Sequence, residues 1–333
     1  MDIVALRQRM KPFMAKDDRI AWASLIGTLA VFFPALALAV VAAGRHWTLA
    51  APFVVLAAFA GVRLYVLQHD LGHFSLFRSR ATNRLIGLAV SPFTLTPYEA
   101  MRVNHDIHHA YLGNLDHRET TEVHTMTVRE WAAAPWTTRL AYRLYRNPAI
   151  LLPLGGAWTF LVRYRWPKNA GRIGAAGVIA HNLGVLAFFG VMYAAGGGTG
   201  VAVLLATAVT SGCIGVFLVY LQHNFEDTYW GRKPDLDFRR ATLQGSSALD
   251  LGHWWDIGTG NIAYHDIHHF NPQIPSYRLR QCHRALRGDL GMPTIEWPEA
   301  IRSFRLKLWD EEAGRLVPFP RAQDRKTAAI PAE

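Results

Sequence analysis

The sequence predicts an all-α membrane protein with four transmembrane helices in two hairpins. Three observations carry this. Just over half of the 333 residues are hydrophobic, 51%. They are gathered into a few long runs with the charges in the gaps, the layout of a polytopic membrane protein. Basic residues fall almost wholly on one side of the predicted membrane.

The first run spans residues 20–43, "IAWASLIGTLAVFFPALALAVVAA". It has no charge and can cross a hydrocarbon core of about 30 Å. The second, 48–68, follows after only "GRHW", so the two form an antiparallel helical hairpin. Its one charge, Arg63, lies near the end and can snorkel to the interface. The third run covers 173–195 and, after "GGGTG", the fourth covers 201–221. "LIGLAVSPFTL" from Leu85 is too short to span and carries a proline, so it is read as interfacial or re-entrant. "AILLPLGGAWTFLV", residues 149–162, is read as lying along the membrane surface or within the protein. Residues 1–320 form one domain, and the polar tail 321–333 is expected to be disordered.

Four spans put both termini and the long middle segment on one side. Lys and Arg number five in residues 1–19, fourteen in 63–172 and fifteen from Arg232 onward, with only Arg45 in a hairpin link. That bias points the termini to the cytoplasm and places the protein in the inner (cytoplasmic) membrane. It also accounts for the net charge of +10 without nucleic acid. The polar, basic start argues against a cleavable signal peptide. Two cysteines, Cys213 in an apolar run and Cys282 in a basic segment, do not suggest a disulfide framework.

Eight of the fifteen histidines lie in three short clusters. They are His69 and His73 in "HDLGH", His105, His108 and His109 in "HDIHH", and His265, His268 and His269 in a second "HDIHH". His223 sits at the predicted cytoplasmic end of the fourth span. The four-span topology delivers all nine to one side. Residues three and four apart share a helix face, so each cluster should aim two or three imidazoles at one point. Neutral imidazole suits iron, copper, zinc or nickel. Eight or nine ligands exceed the needs of one ion, and two ions are the natural count. No HExxH motif is present, and a redox pair suits so ligand-rich a site better than zinc. His46, His117, His124, His181, His253 and His283 read as ordinary hydrogen-bonding or interfacial residues.

The order HxxxH, HxxHH, HxxHH between two membrane hairpins resembles the integral-membrane fatty acid desaturase superfamily. "HHAYLGNLDHRE", "TMTVREW", "YRLYRNP", "QHNFEDTYW", "LQGSS" and "TGNIAYHDIHHFNPQIPSYRLRQCH" are similar to bacterial and plastid-type omega-6 (delta-12) acyl desaturases, in order from about residue 60 to 290. Two departures stand out. "TTEVHT" follows "GNLDHRE" where relatives carry a Gly-Asp pair, which bears on the double-bond position, and Asp266 stands where histidine is frequent.

The resemblance implies a four-span bundle with a cytoplasmic helical cap holding a di-iron site. It implies O2-dependent removal of two hydrogens from adjacent methylenes, giving a cis double bond in a membrane-associated acyl chain, at delta-12/omega-6 of a monounsaturated substrate. The eight clustered histidines then ligate iron. His223 is a ninth ligand, or instead caps the end of span 4. Asp70, Asp106 and Asp266, each next to the first histidine of its cluster, are candidate acceptors from imidazole N–H groups or else face water. Asn261 and Asp227 are further candidates. The substrate is a membrane lipid or acyl thioester. With no cytochrome b5-like His-Pro-Gly-Gly motif, electrons come from a separate donor such as ferredoxin or a cytochrome. A hydroxylase or ketolase on the same scaffold is the alternative within the enzymes. A metal transporter is the alternative outside them, but it calls for more ionisable groups inside the spans.

Overall fold

The computed structural model describes residues 3–118, 123–166, 170–290 and 294–320. The predicted tail, 321–333, lies outside them. The described chain is mainly helical. Strands are two or three residues long and pair into two small sheets. Met126–Thr127 runs parallel to Leu308–Asp310, which runs antiparallel to Arg315–Val317. Ala248–Leu249 runs parallel to Thr294–Ile295.

Among the described residues, three helices are long and apolar enough to cross a membrane: Asp18–Ala43, Trp47–Gly72 and Ala175–His223. Asp17 starts the first by accepting the backbone N–H of Arg19 at 2.9 Å. The His46 ring caps the second by accepting from the Thr48 N–H at 3.3 Å. The second helix runs four residues past the predicted end at Gln68. Apolar patterning stops at His69 and Asp70, but both are buried, so the helix carries them into the protein interior.

The third helix, 49 residues, replaces two predicted runs. It breaks at Gly196 (φ −153°, ψ 15°) and at Gly197 (φ 58°, ψ −142°), where glycine tolerates positive φ. Phe188 and Met192, before the break, share a core with Val203 and Leu204 after it, and with Phe32, Leu36 and Val54 of the first two helices.

Both short apolar segments become local helices. Arg80–Val90 leaves Leu85 and Leu88 exposed. Pro148–Ala157, continued by a wider turn over Trp158–Val162, packs on Ala175–His223. At the crossing a Cβ on Gly156 would lie 2.5 Å from the Gly212 carbonyl carbon, so only glycine lets the backbones approach this closely.

Arg63 does not point freely into an interface. Its guanidinium donates to Thr28 Oγ1 (3.1 Å), Ser24 Oγ (2.9 Å) and the Ile257 carbonyl (2.5 Å), joining the first two helices to the Ile257 segment. Arg146 is fully buried. It donates to Asn224 Oδ1, the His124 and Leu306 carbonyls and Thr125 Oγ1.

Candidate metal centre

The histidines sit where long helices end and short helices begin. His69 lies in the last turn of Trp47–Gly72, and His73 is its C-cap. His223 is the last residue of Ala175–His223. Tyr98–Ala110 carries His105, His108 and His109, and His265–Phe270 carries His265, His268 and His269. The Tyr98 hydroxyl donates to the Leu71 carbonyl at 2.9 Å, locking the start of the first "HDIHH" helix onto the end of the "HDLGH" helix.

All nine predicted histidines converge. They form two groups able to hold metal: His69, His73, His105, His109 and His268, and His108, His223, His265 and His269. Within a group every potential ligand atom lies within 4.8 Å of the others. The expectation that one cluster aims at one point is corrected here. In each "HDIHH" the i and i+4 histidines enter one group and the i+3 histidine enters the other. The first copy gives His105 and His109 to one group and His108 to its neighbour. The second copy reverses this, with His265 and His269 in the four-histidine group and His268 in the five-histidine group. On a helix, i+3 and i+4 are displaced to opposite sides of i, so one pentapeptide can face two centres.

The ring nitrogens point at one another. Nε2 of His105 lies 2.8 Å from that of His69 and 2.9 Å from that of His109. His109 and His268 approach at 3.0 Å, His265 and His269 at 2.9 Å. Across the groups the His109 and His269 rings stack with centroids 4.3 Å apart. Within the four-histidine group His108 and His269 are 3.2 Å apart. Nitrogens ligating one ion at about 2.0–2.1 Å sit about 3.0–3.4 Å from each other, so this spacing fits a shared metal shell. His223 Nδ1 bonds the Gly245 carbonyl at 2.9 Å, and its ring centroid lies 5.0 Å from those of His108, His265 and His269.

Electrostatics agree with the fit. Burial, reinforced by neighbouring imidazoles, holds His105, His109, His265, His268 and His269 well below the usual histidine range, and His108 at about 4. These rings are neutral at pH 7 and offer lone pairs, as metal ligation requires.

The predicted carboxylate and amide partners divide. Asp70 is buried, accepts the Ser276 N–H at 2.6 Å, and lies 3.5 Å from His69 Nδ1. Asp266 is buried and accepts from His283 Nδ1 at 2.8 Å. The other three are not brought to the histidines. Asp106 points outward, its side chain 53% exposed, and pairs with Arg102 at 3.4 Å. Asp227 is exposed. Asn261 donates to the Ser276 carbonyl at 3.1 Å from a left-handed backbone, φ 63°. A residue one position after a ligand turns about 100° away from it on a helix, so adjacency alone does not bring a carboxylate to the ring. His283, read as an ordinary histidine, is the partner that sequence reasoning missed. Its place in the "RQCH" segment was the available signal.

An apolar cavity of about 310 Å³ lies among the long helices, lined by Phe32, Tyr65, Phe93, Leu95, Phe160 and Thr207 among others. A recess of about 20 Å³ abuts His108 and His223, and Val123 is in the walls of both.

The fatty acid desaturase family model matches residues 45–299. The chain belongs to the fatty acid desaturase family. This desaturase, an oxidoreductase, is 33% identical over 316 residues to the "Fatty acid desaturase" of Bacillus subtilis, covering 94% of this chain and 90% of that protein. It is 29% identical to an sn-1 acyl-lipid omega-3 desaturase (ferredoxin) of Synechocystis sp., covering 68% of this chain and 64% of that protein. It is 24% identical to an sn-1 oleoyl-lipid 12-desaturase of Synechocystis sp., covering 75% and 70%.

Proposed function

We propose that this desaturase introduces a cis double bond at delta-12/omega-6 of a monounsaturated, membrane-associated acyl chain, using O2 and two iron ions. One observation carries the reading: the two histidine groups are buried or part-buried, and Val123 lines both the recess at His108 and His223 and the apolar cavity. Iron bound there supplies the oxidising power needed to break unactivated C–H bonds, which no general base on a protein can ionise.

The chain's own residues do the rest. The five histidines of the first group and the four of the second, His223 included, are the ligands. Asp70 and Asp266 hold the surrounding helices rather than the metal. The apolar walls exclude water and seat the acyl tail, which fixes the methylenes relative to the histidines. Electrons come from a separate donor such as ferredoxin or a cytochrome.

We also infer four spans in two hairpins, with the histidines and both termini at the cytoplasmic face of the inner membrane. Support comes from the break at Gly196–Gly197 and from the shared core of Val185 and Ala208. A straight helix would hold those two about 35 Å apart. The basic residues, clustered in segments that this topology places on one side, give the orientation.

The test is expression in a host that makes monounsaturated acyl chains, with fatty acids read by gas chromatography–mass spectrometry. A new diene absent from cells carrying His108→Ala supports desaturation, and derivatisation locates the bond. An oxygenated product instead would move the enzyme to the hydroxylase branch.

A further inference from the structure

Leu95 is a branched residue in the left-handed region, φ 55°, where side chains other than glycine are uncommon. It closes the turn that follows Arg80–Val90. That turn is fastened from two sides. Arg165 Nη2 donates to the Leu95 carbonyl at 2.5 Å. The fully buried Gln68 donates to the Thr96 carbonyl at 2.8 Å and accepts from Thr94 Oγ1 at 2.5 Å. Gln68 directly precedes His69, so the strained turn is tied to the helix end that carries a predicted ligand. Thr94 and Leu95 both line the apolar cavity, and Leu95 is backed by Val185 and Ala208.

A strained conformation persists only where its surroundings over-determine it. Glycine would remove that strain here, yet it would also remove the side chain. We propose that Leu95 is a specificity-determining residue. Its side chain, held rigidly beside the His69 helix, fixes how far along the cavity an acyl chain settles and therefore which carbon pair meets the histidines. The inference rests on the cavity being the acyl site.

The experiment uses the full-length enzyme in a host rich in monounsaturated chains, with double-bond positions and chain lengths read by mass spectrometry and bound metal counted on purified protein. Leu95→Ala deletes the wall and keeps the strained backbone. Leu95→Gly deletes the wall and relaxes the backbone. Leu95→Met conserves the volume. An apolar pocket discriminates one methylene by about 10–200-fold, so both truncations should lower discrimination between neighbouring registers by about tenfold or more. New positional isomers then accompany the parental one, metal content stays unchanged, and Leu95→Met keeps the parental pattern. If Leu95→Ala does not fold, Leu95→Gly still reads the wall, because its backbone is unstrained. Parental isomers from a folded truncation would overturn the proposal and leave Leu95 as packing. Metal-loaded truncations that make no product would also overturn it, since a widened wall admits more registers. If the parent enzyme makes no unsaturated product, the reading of the cavity itself falls, and the register proposal falls with it.

Discussion

His283 Nδ1 donates to Asp266 Oδ2 across 2.8 Å, and both side chains are buried. This contact pins Ser276–Leu290 against the helix that carries three of the nine histidines. Asp266→Ala leaves a buried donor without its acceptor, which should lower stability by about 1–3 kcal/mol. Thermal unfolding in detergent measures it. An unchanged melting temperature would show that the pair does not hold the two helices together.

Histidines should separate into two classes. His108→Ala and His269→Ala are expected to lower bound metal and abolish product, because both belong to the four-histidine group, their Nε2 atoms 3.2 Å apart. His46→Ala and His117→Ala should keep both, since His46 caps a helix and His117 stacks on Tyr111, outside either group. Metal analysis and product profiles on the four proteins decide this. Loss of metal in His117→Ala would contradict the grouping.

The Gly156–Gly212 crossing should not tolerate a side chain. A Cβ on Gly212 would sit 2.7 Å from the Gly156 Cα, and neither backbone can yield alone. Overpacking of this kind costs about 1–3 kcal/mol, and Gly212→Val should reach the upper end. The yield of monodisperse protein by size exclusion should fall steeply. Wild-type yield would mean that Pro148–Ala157 can move away without loss.

Acid should loosen the cap through Glu130. Hydrogen bonds from Arg118, at 2.9 and 2.5 Å, hold its carboxyl at about 2, despite partial burial that acts the other way. Arg232 adds a contact at 3.0 Å. A carboxyl with a lowered folded pKa contributes stability that is present above its unfolded value, about 4.3, and lost as pH falls toward 2. Stability should therefore decline across that window, and less so in Glu130→Gln. Because Glu130 is part-exposed, added salt should shrink the effect. Identical acid profiles for the two proteins would remove Glu130 from the account.

The first two long helices and the convergence of nine histidines were legible because apolar runs and i, i+3, i+4 spacing are local signals. The split of each "HDIHH" between two groups was not. Which side of a helix meets which neighbour depends on packing, and the sequence shows only that the three share a broad face. Asp106 and Asp266 occupy the same position in identical pentapeptides, yet one meets Arg102 near the surface and the other His283 in the core. No pattern within five residues distinguishes them. Arg146 shows the same limit: a basic stretch reads as surface until tertiary structure surrounds it with carbonyls, Asn224 and tyrosine rings.

The exchange of histidines between the two "HDIHH" copies has a consequence for biosynthesis. His268 belongs to the group otherwise built from residues before 110, and His265 and His269 belong to the group that begins with His108. The first group is not complete until residue 268 has left the ribosome and the second not until residue 269, by which point the long apolar helices Asp18–Ala43, Trp47–Gly72 and Ala175–His223 have been made. Loading of the finished centre is therefore a late event, following membrane insertion rather than guiding it. A chain truncated before residue 265 would carry six of the nine histidines to the bilayer with neither group whole.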